Sequence, residues 1–456
     1  MVKTQGNAMT PTRRSLLMSS IALAAVPIAA RAQQQASSSS SSSAAKPGSP
    51  DIVASIPVNY DETKVGTYTL PDLLTAADGT KITTARAWFA RRRPELVGLF
   101  ETQQYGKAPG KPDGLAFEIH EKEAPAFDGK AKRKQVRITF AKGRGPVLNL
   151  AVYIPAAATK PVPTLLAINF GSNAATVDDP GVTPGTVWSA KDHKRIPYAP
   201  GGRAFGHIDP VPLLEAGFGF AAFCYGDVDP DDPSGLNDGV RAPYLKPGRT
   251  AVAPDEWGTI SAWAWGISRV IDYFETESSI DAKRVAIHGV SRLGKTVMWA
   301  GAHDTRIAAT IASCSGEGGA ALSRRDFGET IAHLTAPKRY PYQFAGNYGK
   351  YAGFPDTAPM DAHMLVALHA PRPLLLQTGS TDNWSDPKGE FLAAVAAGPV
   401  YRLLGKKDLG TDIWPAAKTP IYGDLSYYMH DGGHGTVPSD WDIYLSFLKM
   451  HLNPEA

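Results

Sequence analysis

Residues 147–154, 164–170, 218–225, 284–289, 308–313 and 373–379 are short apolar runs, rich in β-branched and aromatic side chains and bounded by glycine, proline or polar residues. Runs without alternation suit strands buried on both faces. Between them, residues 257–275, 293–303 and 440–451 carry aliphatic and aromatic side chains at helical spacing. Strand and helix patterns alternating from about residue 146 onward predict an α/β fold, a three-layer sandwich with a mostly parallel central sheet. Upstream the pattern changes. Residues 83–105 read as helical in two pieces broken near Pro94, because proline removes a donor and crowds the preceding turn. Residues 115–140 alternate as antiparallel edge strands do, so an N-terminal extension should pack on the same sheet. One domain over 51–456, without repeats, accommodates all of this. The Gly/Pro-rich stretches 171–206 and 226–253 exceed ordinary loop length, and such loops are commonly functional; here they are expected to wall a cleft.

The first 50 residues do not belong to that pattern. Arg13 and Arg14 precede an apolar run over 21–30, and Ala30, Arg31 and Ala32 form a small-residue cleavage site, so residues 1–32 read as a twin-arginine-type signal peptide. An ordinary secretory signal is the alternative, and either predicts a periplasmic or secreted protein. The apolar run falls short of the roughly 18 residues a spanning helix needs, and no later segment reaches it, so no membrane association is expected. Residues 33–50, with serines throughout 37–43, are expected to be a disordered linker. Cys224 and Cys314 are the only cysteines, which limits the chain to one disulfide. A balance of 47 basic against 44 acidic residues offers no concentrated basic face for nucleic acid.

Candidate chemistry gathers at three places. In the first, the strand pattern ending at 289 turns through Gly289, Val290 and Ser291 directly into a helical pattern, as a nucleophile elbow does. The turn lifts the hydroxyl above the sheet while the helix N-terminus points free N–H groups at a developing oxyanion. This instance has Leu293 where the usual pattern has its last glycine, and Gly294 follows. A serine hydroxyl needs a base, expected late in the chain; His434, flanked by Gly433 and Gly435, suits the part, with His430 as competitor. The orienting acid should follow a late strand, which makes Asp382 the first choice, with Asp386 and Glu317 as alternatives. Arg292 and Lys295 place two cations beside Ser291, which points to an anionic or polyhydroxylated ligand, and Trp384 suits a sugar platform. No spacing of ligand residues calls for a metal, and no cofactor is expected.

The motifs GVSRLGK at 289–295, INFGSN at 168–173, AWAWGISR at 262–269, GGAALSRR at 318–325 and GGHG at 432–435 together resemble the glucuronoyl esterases of carbohydrate esterase family 15, bacterial type, within the α/β-hydrolase superfamily. The resemblance implies hydrolysis of the ester between 4-O-methyl-glucuronoyl groups of glucuronoxylan and lignin alcohols. It makes Ser291 the nucleophile, His434 the base and Arg292 an oxyanion stabiliser, and it assigns Lys295, Glu329 and Trp384 to glucuronate contacts. The expected partners are glucuronoxylan and lignin-carbohydrate esters, and the expected state is a monomer. Two residues depart from the family. Val290 replaces its usual cysteine, and Cys314 stands where many members carry a catalytic glutamate; Asp382 resembles the alternative acid position of other bacterial members. Two other classes share parts of the pattern: a different serine hydrolase, such as an acetylxylan esterase or a peptidase, and a non-catalytic glycan-binding protein.

Overall fold

A computed structural model describes residues 50–141, 144–199 and 205–454, so the expected signal peptide and almost all of the expected linker lie outside the described residues. The main sheet has nine strands: β1 (Ala116–Ala126), β2 (Ala131–Ala141), β3 (Arg144–Pro155), β4 (Val162–Asn169), β5 (Gly219–Cys224), β6 (Ile280–Val290), β7 (Ala309–Ser313), β8 (Leu374–Gly379) and β9 (Leu425–His430), in the order β9-β8-β7-β6-β4-β5-β3-β2-β1. From β9 to β5 every neighbouring pair is parallel, while β3, β2 and β1 continue the sheet antiparallel. The run 147–154 therefore falls in the antiparallel section rather than opening the parallel one, because an apolar run has no direction until its neighbours are known.

Alternate side chains of the parallel strands enter two separate cores. Leu166 and Ile168 of β4 pack with the helices α2 (Thr259–Phe274), α3 (Arg292–His303) and α4 (Pro387–Leu403), whereas Leu165 and Ala167 pack with α5 (Asp440–Leu452). This is the period of two of an extended strand, expressed with both faces covered. α2 is buried nearly all round, since loop 226–253 and residues 107–110 cover the side turned away from the sheet: Trp263 Nε1 donates to the Asp229 carbonyl at 2.8 Å and Trp265 Nε1 to the Gly110 carbonyl at 3.1 Å.

The extension belongs to the first core. Trp88, Leu96, Phe100 and Tyr105 are fully buried in it. The expected break at Pro94 is not found. A wide π-type turn over Trp88–Arg92 leads without interruption into α1 (Arg93–Gln103), the N–H of Arg93 reaching the Trp88 carbonyl; the widened turn directly precedes Pro94, which has no N–H to donate back into it. No described helix is long and apolar enough to cross a membrane. Phe100 packs beside Tyr105 and Trp299, with ring centroids 6.1 and 6.3 Å away, and those two rings stack on each other at 4.9 Å. Phe100→Ala is expected to cost about 3–5 kcal/mol through the cavity it leaves, read as a lowered midpoint in denaturant unfolding; an unchanged midpoint would show the extension to be dispensable.

Candidate active site

Ser291 stands between the end of β6 and the start of α3, with φ 59° and ψ −127°. Such a conformation costs a non-glycine residue about 1–3 kcal/mol and persists only where the surroundings impose it. Here Ser291 N donates to the Ser313 carbonyl at 2.8 Å, and Lys295 N donates to the Ser291 carbonyl at 3.0 Å. The two glycines are required by close approach: a Cβ on Gly289 would lie 2.4 Å from the Leu293 carbonyl oxygen, and one on Gly294 would lie 2.7 Å from that of Ser313. The departure from the usual spacing thus has a physical reason. The helix presses against the end of β7 at position 294, while Leu293 is turned into the core. As the first helical residue, Arg292 has an N–H without an intrahelical acceptor.

The loops after β8 and β9 are zipped together. Gly379 pairs with His430, Ser380 N donates to the His430 carbonyl at 2.9 Å and Thr381 N to that of Gly432 at 2.8 Å. A Cβ on Gly379 would meet the Gly433 carbonyl oxygen at 2.1 Å, so only glycine lets the loops close this far. Closure brings His434 Nδ1 to 2.7 Å from Asp382 Oδ2 and 3.1 Å from Ser385 Oγ. Asp382 is buried and the His434 ring is partly exposed, with Phe205 stacked parallel to it at 6.1 Å. Burial pushes the Asp382 carboxyl up, but hydrogen bonds from His434 and Ser385 outweigh it and hold the group below its ordinary range.

The competing residues are occupied elsewhere. Glu317 is buried, accepts from Tyr348 Oη and Ser323 Oγ at 2.7 Å each, and is pushed by burial up to about 8, so it is a neutral acid within the core near neutral pH. Asp386 caps α4 by accepting from Gly389 N at 2.9 Å and pairs with Arg325 Nε at 2.8 Å. His430 is buried, its Nδ1 2.9 Å from Asp440 Oδ2 and its Nε2 2.9 Å from the Gly433 carbonyl oxygen, which makes it a strut beneath the His434 loop. Cys314 lies directly against the pair: its Sγ, the Asp382 carboxylate and a ring nitrogen of His434 fall within 4.8 Å of one another. These three are the described residues whose spacing would allow a metal ion, but His434 and Asp382 already bond each other and burial keeps the Cys314 thiol protonated. Cys224 and Cys314 are both free and buried.

A second group lies along the first turn of α3. Lys295 Nζ is 3.7 Å from Glu329 Oε2, and Glu329 N donates to the Trp384 carbonyl at 2.8 Å, so the three residues expected to contact a sugar acid are assembled together. Two members went unseen in the sequence. Arg339 donates to Glu329 Oε1 at 3.3 Å and lies 5.8 Å from the Trp384 ring; its one available sign was a basic pair, Lys338 and Arg339, running into aromatic Tyr340 and Tyr342. Asp231 pairs with Arg292 Nη1 and carried no motif at all, standing in an acidic, proline-rich loop. The long loops do border this region, through Phe205 from the first and Asp231 from the second.

A serine on a strained strand-to-helix turn at the end of a mostly parallel sheet, with a histidine and an acid delivered by the loops of the last two strands, is the layout of the α/β-hydrolases. The comparisons with known proteins carry this further. Residues 253–405 match the family model described as "Glucuronyl esterase, fungi". Over 405 residues, 87% of this chain and 93% of the relative, the sequence is 42% identical to carbohydrate esterase MZ0003 of an unknown prokaryotic organism. It is 27% identical to a 4-O-methyl-glucuronoyl methylesterase of Phanerochaete carnosa over 88% of this chain and 84% of that one. Among solved structures, a glucuronoyl esterase from Solibacter usitatus superposes with a TM-score of 0.81 at 42% identity, covering 86% of this chain and all of that one. One from Teredinibacter turnerae superposes at 0.72 with 30% identity, over 93% and 99% of the two chains. The chain belongs to carbohydrate esterase family 15, the glucuronoyl esterases, and is a carboxylic ester hydrolase.

Two substitutions separate the candidate acids. Asp382→Asn is expected to lower kcat by about 10,000-fold with KM little changed, as when an imidazole loses its orienting carboxylate, whereas Glu317→Gln should stay within about threefold of the parent rate; the opposite pattern would move the role to Glu317. Glu317→Gln also has a pH signature. The folded state holds this proton up to about 8 while an unfolded chain releases it near 4.5, so folding stability declines as pH rises across that interval. The glutamine variant should therefore melt higher than the parent at pH 8 and show no such gain at pH 4.5, measured by thermal unfolding at both.

Proposed function

We propose that this enzyme hydrolyses esters of 4-O-methyl-glucuronic acid carried on glucuronoxylan, including those made to lignin alcohols, through a Ser-His-Asp acyl-enzyme mechanism. The observation that carries the substrate reading is the cluster of Lys295, Glu329, Trp384 and Arg339 beside the Ser291 turn: two cations, a hydrogen-bonding carboxylate and an indole suit a hydroxylated ring that bears a carboxyl function. The names of the relatives support the same acyl group.

In this mechanism Ser291 Oγ attacks the uronoyl carbonyl carbon while His434 Nε2 takes its proton, and Asp382 holds the Nδ1–H and stabilises the imidazolium that forms. The Arg292 guanidinium and the free first-turn N–H groups of α3 meet the charge that develops on the carbonyl oxygen. Collapse breaks the ester bond, and the alcohol departs with the proton from His434. Water, activated by the same imidazole, then cleaves the acyl-enzyme and regenerates Ser291. The released uronate is an anion, and Lys295 and Arg339 give it counter-charge. Export by the leader would bring the enzyme to polymeric substrate.

Purified enzyme should turn over benzyl glucuronate and methyl glucuronate much faster than it deacetylates acetylated xylan. Deacetylation with no glucuronate activity would favour an acetylxylan esterase, and failure of a fluorophosphonate probe to label Ser291 would favour a non-catalytic glycan-binding protein. Lys295→Ala is expected to raise KM for the glucuronate esters by roughly 10- to 100-fold, the loss of a charged hydrogen bond, with a smaller change in kcat; an unaltered KM would remove Lys295 from substrate recognition.

A further inference from the structure

We propose that Asp231 is a positioning residue for the esterase reaction: it holds the Arg292 guanidinium in the orientation that serves the oxyanion. This rests on the reading of Arg292 given above. An arginine side chain has many rotamers to lose when it is held in one. If the side chain is mobile, that freedom must be given up in the transition state; if it is already fixed, the cost has been met in folding. The structure shows Arg292 fixed. Its Nη1 donates to Asp231 Oδ2, and its guanidinium lies 4.8 Å from the centre of the Tyr340 ring and 6.0 Å from that of Phe170. Among the described residues Asp231 is its only hydrogen-bonding side-chain partner, which leaves Nε and Nη2 for a ligand.

Asp231 is itself held on every side. Tyr342 Oη and Gln343 Nε2 donate to its other oxygen at 2.9 and 2.6 Å, and Tyr225 Oη donates to Oδ2 at 3.3 Å. Its backbone is anchored two residues earlier, where Asp229 forms a buried ion pair with Arg241 at 2.8 Å and its carbonyl accepts from Trp263 Nε1. The side chain of Asp231 is 8% exposed and that of Arg292 28%, so the carboxylate is the buried end of the pair and the guanidinium the end turned toward solvent. One consideration opposes the arrangement: a carboxylate on Arg292 partly cancels the positive field that an oxyanion would feel. If field strength governed, neutralising Asp231 would speed the reaction; if orientation governs, it slows it. The convergence of four donors on one carboxylate is what we read as selection for orientation.

The test is a double-mutant cycle on benzyl glucuronate with Asp231→Asn, Arg292→Ala and the pair, each checked for its unfolding midpoint. Asp231→Asn is expected to lower kcat about 10- to 100-fold with KM within about twofold, and in the Arg292→Ala background it should change kcat by less than about twofold, because the two act as a unit. Tyr342→Phe, which removes one donor from Asp231 at a partly exposed site, should give a smaller loss in kcat and keeps the proposal testable if Asp231→Asn fails to fold. A rate unchanged or raised in Asp231→Asn, or losses that multiply in the double variant, would overturn the proposal, as would a parent kcat in Tyr342→Phe. A parent rate in Arg292→Ala would instead overturn the oxyanion role itself, and is distinguishable because it appears without any change at Asp231.

Discussion

The backbone of Ser291 is the constraint on which the rest of the site depends. A left-handed φ at a serine is unfavourable, and it is maintained because β6, β7 and α3 converge there with no room to relax: Ser313 accepts from Ser291 N, and glycines at 289 and 294 allow backbone to approach backbone closer than any Cβ would permit. Once that turn is set, α3 must begin at Arg292. Lys295 then falls one turn along, beside Glu329, and the guanidinium of Arg292 falls within reach of Asp231. The groups proposed for substrate recognition and for the oxyanion are therefore both laid out by one strained residue.

The sheet carries the other half of the site to the same place. β8 and β9 are parallel and in register, so both release their loops at the same edge, and the Gly379 contact with Gly433 locks the loops face to face. His430 supports this from below, bridging Asp440 at the start of α5 to the Gly433 carbonyl. Its competing claim to be the base and its structural part come from one fact: it is the last residue of a buried strand, where an imidazole finds partners on both nitrogens.

What was legible in the sequence follows from this geometry. Strands β4, β5, β7 and β8 and the second half of β6 are buried on both faces, so composition alone marks them, and the elbow is visible because strand, turn and helix are contiguous. α4 left no clear pattern, since Pro387, Gly389 and Pro399 interrupt its periodicity, and its first turn depends on the Asp386 cap. Asp231 was illegible for a different reason. Asp231 meets Arg292 from 61 residues away and Gln343 from 112, and such pairings exist only after the sheet has ordered. Residue type marks a strand; only topology marks a second layer of support.

The acid shows how burial chooses among chemically similar groups. Cys314, Glu317, Glu390 and Asp382 all lie in the ground beneath the elbow and the His434 loop, and burial opposes charge on each of them. Glu317 and Glu390 are pushed up to about 8 and the Cys314 thiol well above its ordinary value, so at neutral pH these three are largely protonated. Asp382 alone of the four is held below its ordinary range, because His434 and Ser385 supply donors that outweigh desolvation. A carboxylate at position 314 would place a second negative charge against Asp382, and like charges that close cannot both ionise cheaply. With a thiol there instead, Asp382 keeps its charge undivided for His434. The neutral thiol beside it adds no negative charge to the site, and the donors of His434 and Ser385 keep the carboxylate after β8 ionised although it is buried.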